Sequence, residues 1–212
     1  MIVIDFGADV QRYVAQAAQL NFPRPDVCPT CRVAGRMVGH GFYPRKALLA
    51  AGPGYRVPIK RWFCDACHHT VALLPSFLLP YRHYLLEVIQ AVVITRFEAV
   101  ASWTQVAQHC AQEGAPSPWT LGRWCEAFAE HAASWWAAVQ QTLAEQDAGS
   151  PLLDPLGENA GPQDAPRALL HAALHLLAWA KTRWVELAHY GLTDRFRVLW
   201  HWGAGHGLGR LI

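Results

Sequence analysis

Residues 28–67 read CPTCRVAGRMVGHGFYPRKALLAAGPGYRVPIKRWFCDAC, a stretch that opens on Cys28 and Cys31 and closes on Cys64 and Cys67. Two residues between cysteines let a tight turn aim both thiolates at one ion, and two such knuckles supply four soft ligands for tetrahedral Zn²⁺. The same donor set would also take iron of the rubredoxin kind or remain as free thiols, but the spacing favours zinc. Four cysteines close the coordination shell and leave no position for water, so the zinc is expected to be structural. The spacer suits two strands, GRMVGHGFYPRKALL and YRVPIKRWFC, joined by the turn-rich AAGPG. That is the layout of a zinc ribbon. His68 and His69 follow the second knuckle, where they are expected to shield the ion or hydrogen-bond beside it.

Charge concentrates on the same segment. The whole chain of 212 residues carries a net charge of only +2. From Arg24 to Cys67, however, eight basic residues face two acidic ones, whereas the remainder holds ten basic and fourteen acidic. A concentrated basic patch is the electrostatic footprint of a polyanion-binding surface. Arg45 and Lys46 fall on the first strand, and Arg56, Lys60 and Arg61 on or near the second, interleaved with Tyr43, Tyr55 and Trp62. Such a ribbon can lie along phosphates. Strand alternation puts some of these residues on opposite faces, so they cannot all touch one duplex. A solvated face that keeps a small metal module soluble would give the same count.

Working outward, residues 1–23 predict a strand, Ile2 to Phe6, and a helix capped by Asp9 with Val10, Val14, Ala17 and Ala18 on one side. Residues 24–79 are the ribbon, and residues 80–146 are helical. Leu85, Val88, Ile89, Val92, Val93 and Phe97 follow a helical period in the first helix. A second helix, about 102–112, starts on a capping box of Ser102 and Gln105. After GAPSP a third starts near Pro118 and carries Leu121, Trp124, Cys125 and Phe128 inward, towards Trp135 and Trp136. Trp103, Val106, Ala107 and Cys110 face them, which gives a helix-turn-helix with a lengthened turn. In that arrangement Ser117, Trp119, Thr120 and Arg123 point towards DNA. Cys110 and Cys125 read as core. Residues 147–166 are a Pro/Gly/Asp-rich linker. Residues 167–212 give one apolar helix, about 167–189, then a glycine-rich tail. Its apolar series supports packing onto the other helices, or an assembly surface. His171 and His175 have no third ligand nearby and read as polar-face or core residues.

CPTC, RMVGHGFYPRKALL and YRVPIKRWFCDACHHTVALLPSFLLPYRHY together resemble the zinc-ribbon front end of insertion-sequence transposases. SWTQVAQHCAQEGAPSPWTLGRWCEAF is similar to their helix-turn-helix, with a Ser/Thr start and an Arg-Trp pair, here Arg123 and Trp124. The chain also resembles short bacterial proteins of unknown function that keep this front end without the catalytic body. The resemblance covers about residues 24–135. It implies DNA binding in a mobile-element setting, with the four cysteines as ligands. The glycine expected soon after the first knuckle is displaced to Gly35.

A transposase of this kind needs three carboxylates on a sheet, holding two metal ions. Here Asp147, Asp154, Glu158 and Asp164 fall in the linker, and Glu186 and Asp194 lie on or beside a helix. No triad assembles, and P-loop, GxSxG and HExxH signatures are absent. The sequence therefore predicts an α+β chain, a small N-terminal zinc β-ribbon followed by a mostly helical bundle with a helix-turn-helix. Its expected role is non-catalytic, with double-stranded DNA as partner and a second copy or a recombinase as further ones. The alternative is a protein-interaction adaptor that docks through the ribbon and the C-terminal aromatic helix. Asp5 and Asp9 stand where a secretory leader would be basic, and the apolar runs 85–95 and 169–180 are too short to span a bilayer. A cytoplasmic location, without membrane contact, is the corresponding expectation.

Overall fold

The computed structural model describes residues 1–109, 115–149, 164–188 and 190–212. The chain is α+β and divides into two compact units, Met1–Leu85 and Leu86–Ile212. The first unit holds β1 (Ile2–Ile4), α1 (Val10–Gln16), β2 (Met37–Ala47), β3 (Tyr55–Cys64) and β4 (Thr70–Pro75). They form one sheet in the order β1-β4-β3-β2. The β2–β3 hairpin is the predicted ribbon. Its turn needs Gly52, at φ +83°, and Gly54, where a Cβ would fall 2.6 Å from the Ala47 carbonyl oxygen.

Two features of this sheet escape the sequence reading. TVALLP (70–75) is a third ribbon strand, antiparallel to β3, and β1 pairs with it in parallel, Ile2 opposite Leu73. The strand and helix of residues 1–23 thus share a sheet and a unit with the ribbon. β1 stops at Ile4, short of the expected Phe6, because Asp5 turns the chain. Its carboxylate accepts from the Gly7 N–H at 3.0 Å and from the Ser76 hydroxyl at 2.7 Å, just past the end of β4.

α1 is capped by Asp9, as its sequence predicts, with the Arg12 N–H 2.8 Å from the carboxylate. Its inward face, however, is Val10, Tyr13 and Ala17; Ala18 is exposed and Val14 only half-buried. Tyr13 decides the rotation. Its ring packs edge-on against Phe77, and its hydroxyl donates to the Pro58 carbonyl at 2.9 Å, so a buried aromatic keeps its polar tip satisfied. Burial pushes the Tyr13 pKa above its ordinary value.

The second unit is helical: α2 (Leu86–Phe97), α3 (Trp103–His109), α4 (Pro118–Gln146), α5 (Ala165–Arg183) and α6 (Arg195–Gly205), with 3₁₀ turns at Val185–Leu187 and Leu192–Asp194. α2 buries Leu86, Val88, Ile89, Val92 and Val93; of the predicted stripe, Leu85 is buried just before the helix and Phe97 is half-buried. α4 buries Leu121, Trp124, Cys125, Phe128, Ala132, Trp135, Val139 and Leu143, a run of three- and four-residue steps that makes it the spine of the unit. α4 and α5 run parallel. Asp147, the C-cap of α4, accepts from Trp179 Nε1 at 3.3 Å and from Arg183 at 2.9 Å, both near the C-terminal end of α5.

Three expectations in this unit need correction. Trp103, read as an inward residue of α3, is 46% exposed, with the Arg96 guanidinium 5.1 Å from its ring centre. The C-terminal helix ends at Arg183, because Trp184 adopts extended backbone. The first part of the expected glycine-rich tail, residues 200–205, is instead the end of α6. Gly203 survives in that helix because it serves as a notch: a Cβ there would fall 2.2 Å from Trp135 Cη2. A buried glutamine also fixes this end of the unit. Gln90 on α2 donates to the Thr193 carbonyl at 2.5 Å and accepts from the Phe196 N–H at 2.7 Å, capping the start of α6. Cys110 and most of the predicted linker lie outside the described residues, while Cys125 is buried as expected. Among the described residues, no helix is long and apolar enough to cross a membrane.

Candidate metal centre and basic ribbon

Cys28, Cys31, Cys64 and Cys67 converge: their sulfurs all lie within 4.8 Å of one another. Cys28–Cys67 and Cys31–Cys64 are each 3.7 Å apart. A metal–thiolate bond of about 2.3 Å places tetrahedral sulfurs about 3.8 Å apart, so the cluster has the size of a four-thiolate metal shell. The four can hold a metal ion, and among the described residues no further metal-ligating side chain joins the cluster.

The two knuckles are built alike. In the first, the Arg32 N–H donates to the Cys28 carbonyl at 2.9 Å and the Cys28 N–H to the Val33 carbonyl at 3.0 Å. In the second, the His68 N–H donates to the Cys64 carbonyl at 2.8 Å and the Cys64 N–H to the His69 carbonyl at 2.9 Å. Each turn closes on a left-handed residue directly after its second cysteine: Arg32 at φ +63° and His68 at φ +60°. Glycine would adopt that conformation most cheaply, and neither position has one. Gly35, also left-handed at φ +70°, serves a different corner, where its N–H donates to the Asp26 carbonyl and its carbonyl accepts from Arg24. Arg36 and Asp65 clip the two knuckles together across 2.8 Å.

The cluster sits on the ribbon's own core. Cys28 and Cys64 are buried with Met37 and Val71, and Ile2 and Trp62 pack against them. Backbone N–H groups, first that of Cys31 and then that of Thr30, point at the Cys28 sulfur and lower its pKa to about 6, against the opposing effect of burial. At Cys67 the His69 N–H also favours thiolate, but burial and the three neighbouring sulfurs outweigh it and push the pKa up to about 12. The surroundings thus favour thiolate at Cys28 and disfavour it at Cys67, and a divalent cation at the centre would favour ionisation of all four. His68 packs at a tilt of 44° against Phe63, and His69 Nδ1 lies 2.9 Å from the Cys67 carbonyl, so both imidazoles serve the surroundings of the cluster.

The strand register sorts the predicted ribbon cations. Lys46 pairs directly with Arg56 and Phe42 with Lys60, while Arg45 pairs with Val57. Lys46, Arg56 and Lys60 therefore share one face, and Arg45 and Arg61 the other. A bulge between Gly39 and Phe42, with Gly41 at φ +69°, interrupts the ladder on the knuckle side of Lys60 and leaves the register from there to the hairpin turn unbroken. On the first face Lys46 and Arg56 are exposed, and the Lys60 ammonium stands 4.9 Å from the Phe42 ring and 5.1 Å from Trp62. On the second, Arg61 packs over Tyr43 at 5.6 Å, and its Nε is shielded from solvent without a hydrogen-bond partner. Arg45 turns inward: its guanidinium donates to the carbonyls of Leu79 and Arg82, the latter at 2.8 Å, and burial holds its pKa below the ordinary value. Arg45 fastens the loop that follows β4.

In the helical unit the predicted capping box forms, Ser102 N to Gln105 Oε1 at 2.8 Å and Gln105 N to Ser102 Oγ at 3.3 Å. Ser117 caps α4 by accepting from the Thr120 N–H at 3.3 Å, and the two hydroxyls lie 3.0 Å apart, so both residues build the helix start. Trp119 is 70% exposed, with the Arg123 guanidinium 4.6 Å from its ring centre. Charge follows the structural division. The N-terminal unit holds ten basic and four acidic residues, the helical unit eight and twelve.

Residues 28–124 match a family described as a domain of unknown function (DUF6431). The matched segment runs from the first cysteine of the cluster to Trp124 on α4 and spans somewhat under half of the chain. No curated protein and no solved structure matches this sequence.

Proposed function

We propose that this chain is a zinc-ribbon DNA-binding protein of the transposase-like kind, in which Zn²⁺ is structural and the chain binds without cutting. The observation that carries the reading is one face of the ribbon, where Lys46 and Arg56 are exposed and Lys60 is half-buried, on strands whose other end carries the four-thiolate cluster. Three cations held on one rigid face match phosphates better than the same charges scattered over a surface. Thiolate softness and the tetrahedral spacing of the sulfurs favour zinc, and a closed four-sulfur shell suits a structural ion. Among the described residues, the four cysteines form the one cluster of three or more metal-ligating side chains.

The helical unit has a smaller part in this reading. Ser117 and Thr120 act through the start of α4, and Trp119 and Arg123 offer the exposed contacts there. Arg123→Ala is expected to weaken one DNA sequence more than others, and a uniform loss would reduce Arg123 to a phosphate contact. The acidic balance of this unit and its exposed Trp103 and Trp119 favour the second reading, an adaptor that binds protein, since Trp and Arg are the residues that most often anchor interfaces. A filter-binding titration on duplex DNA across a salt series separates the two. The DNA reading expects log K to fall linearly with log salt, by about 0.9 per neutralised phosphate. Absence of salt-sensitive affinity leaves the adaptor.

A further inference from the structure

Between α4, α5 and α6 the helical unit forms a partly open cavity of about 370 Å³. Leu176 and Ala180 on α5 and Val198 on α6, all buried, give it an apolar floor. Its walls are aromatic. Trp179 and Trp184 stand nearly perpendicular, at 81° with ring centres 5.3 Å apart, and Tyr190 and Trp202 contribute further ring surface. Polar groups stand among the more exposed lining residues: Thr142 and Gln146, one turn apart on α4, and the imidazoles of His201 and His206. No Asp, Glu, Lys or Arg is among the described residues that line it. Two arginines touch its walls, Arg183 on Trp179 and Arg197 on Tyr190, yet neither enters the lining.

We propose that this cavity is a binding site for an uncharged, planar aromatic small molecule. An apolar cavity of about 150 Å³ already accepts benzene, so a space more than twice as large has room for two or three fused rings. It also falls within the size range of small-molecule pockets, which are mostly apolar with a few placed polar groups. Flat indole walls at right angles offer one stacking and one edge-on contact to a flat guest, the arrangements aromatic rings favour. Among the described lining residues no Asp, Glu, Lys or Arg offers an opposite charge to replace the hydration a charged guest would lose, which favours a neutral one. Thr142, Gln146 and the His imidazoles can hydrogen-bond a heteroatom on the ring edge. The site is independent of the DNA-binding reading.

The probe is N-phenyl-1-naphthylamine, an uncharged fluorophore that brightens on leaving water, titrated into the full chain without DNA. Saturable binding to one site, reversed by quinoline, is the expected result. Ala180→Phe and Val198→Trp, which fill the floor, should weaken it at least tenfold while the circular-dichroism signal stays helical. In the unaltered protein, quinoline should shift the indole N–H resonances of Trp179, Trp184 and Trp202 and leave those of Trp62 and Trp119 in place. That measurement decides alone if the filled variants fail to fold. Non-saturable uptake, equal uptake by folded filled variants, or shifts spread over all ten indoles would overturn the proposal. None of these outcomes touches the ribbon, whose own test is salt-dependent DNA affinity.

Discussion

Gly203 on α6 lies against the Trp135 indole of α4 so closely that a Cβ at position 203 would sit 2.2 Å from Cη2 and 2.3 Å from Cζ3. Trp135 cannot retreat, because it is buried and its Nε1 donates to the Arg210 carbonyl at 3.2 Å. Glycine in a helix costs about 1 kcal/mol against alanine, but here the added methyl forces overpacking at about 1–3 kcal/mol. Gly203→Ala should therefore lower the melting temperature of the helical unit. Gly122 on α4 has open space where its Cβ would be, and Gly122→Ala should raise stability by about 0.5–1 kcal/mol. Thermal melts of the two variants check the opposite signs.

That contact illustrates what the sequence does and does not disclose. Signals confined to a few residues are legible: the two Cys-x-x-Cys turns, the Ser102–Gln105 capping box, the Ser117-Pro118 helix start, and the apolar stripes of α2 and α4. Each is fixed by local geometry and needs no knowledge of the neighbour. Features that depend on a distant partner are not. Gly203 reads as a helix breaker until Trp135 fills its notch. Gln90 looks incidental in an apolar run until the start of α6 meets it 103 and 106 residues later. TVALLP is ambiguous as a short apolar run, and pairing on both sides, with β1 and β3, makes it a strand. The division of the ribbon cations between two faces follows from alternation, but which residues of the two strands stand opposite one another depends on the register set by the hairpin turn, Lys46 against Arg56 and Phe42 against Lys60.

Arg45 and Lys46 are adjacent in sequence and should behave differently. Arg45 holds two main-chain carbonyls of the loop after β4, and hydrogen bonds from a charged group contribute about 1.5–3 kcal/mol each. Arg45→Ala should destabilise the N-terminal unit by about 2–4 kcal/mol once the loop carbonyls find water. Lys46→Ala, at an exposed position, should change stability by less than about 0.5 kcal/mol. Chemical denaturation of the two variants distinguishes a fastening role from a surface one. Equal losses would remove the distinction.

Metal affinity should carry the mark of Cys28. Its pKa is lowered to about 6, so above that pH the thiolate is already formed and binding a cation need not displace its proton. As pH falls through about 6, Cys28 takes up a proton, and each bound ion must then release one more. A plot of log affinity against pH is therefore expected to steepen by one unit of slope below about pH 6. Competition with a chromophoric chelator between pH 5 and 8 reads this directly. A strong chelator at neutral pH should strip the ion and unfold the ribbon, because its four ligands come from both ends of the hairpin and hold them together. Retained β-structure after complete metal removal would mean that the core of Met37, Val71 and Trp62 suffices alone.

The register of the ribbon makes the sharpest functional prediction, since Lys60 and Arg61 are neighbours in sequence and opposed in space. Lys60 shares the outward face with Lys46 and Arg56, whereas Arg61 lies over Tyr43 on the other. If that outward face holds phosphates, Lys46→Glu, Arg56→Glu and Lys60→Glu should each weaken every duplex alike. Each should also reduce the slope of log K against log salt by about 0.9, the counterion released per lost phosphate contact. Reversing Arg61 should leave that slope unchanged, because its side chain lies over Tyr43 on the opposite face. Lys60 and Arg61 are both half-buried beside aromatic rings, so some loss of stability is expected from either reversal. Whole-chain charge is altered by the same amount in all four variants, so a general effect of net charge predicts four equal losses. Only a face fixed by strand register predicts three losses and one exception, and filter binding at several salt concentrations distinguishes the patterns.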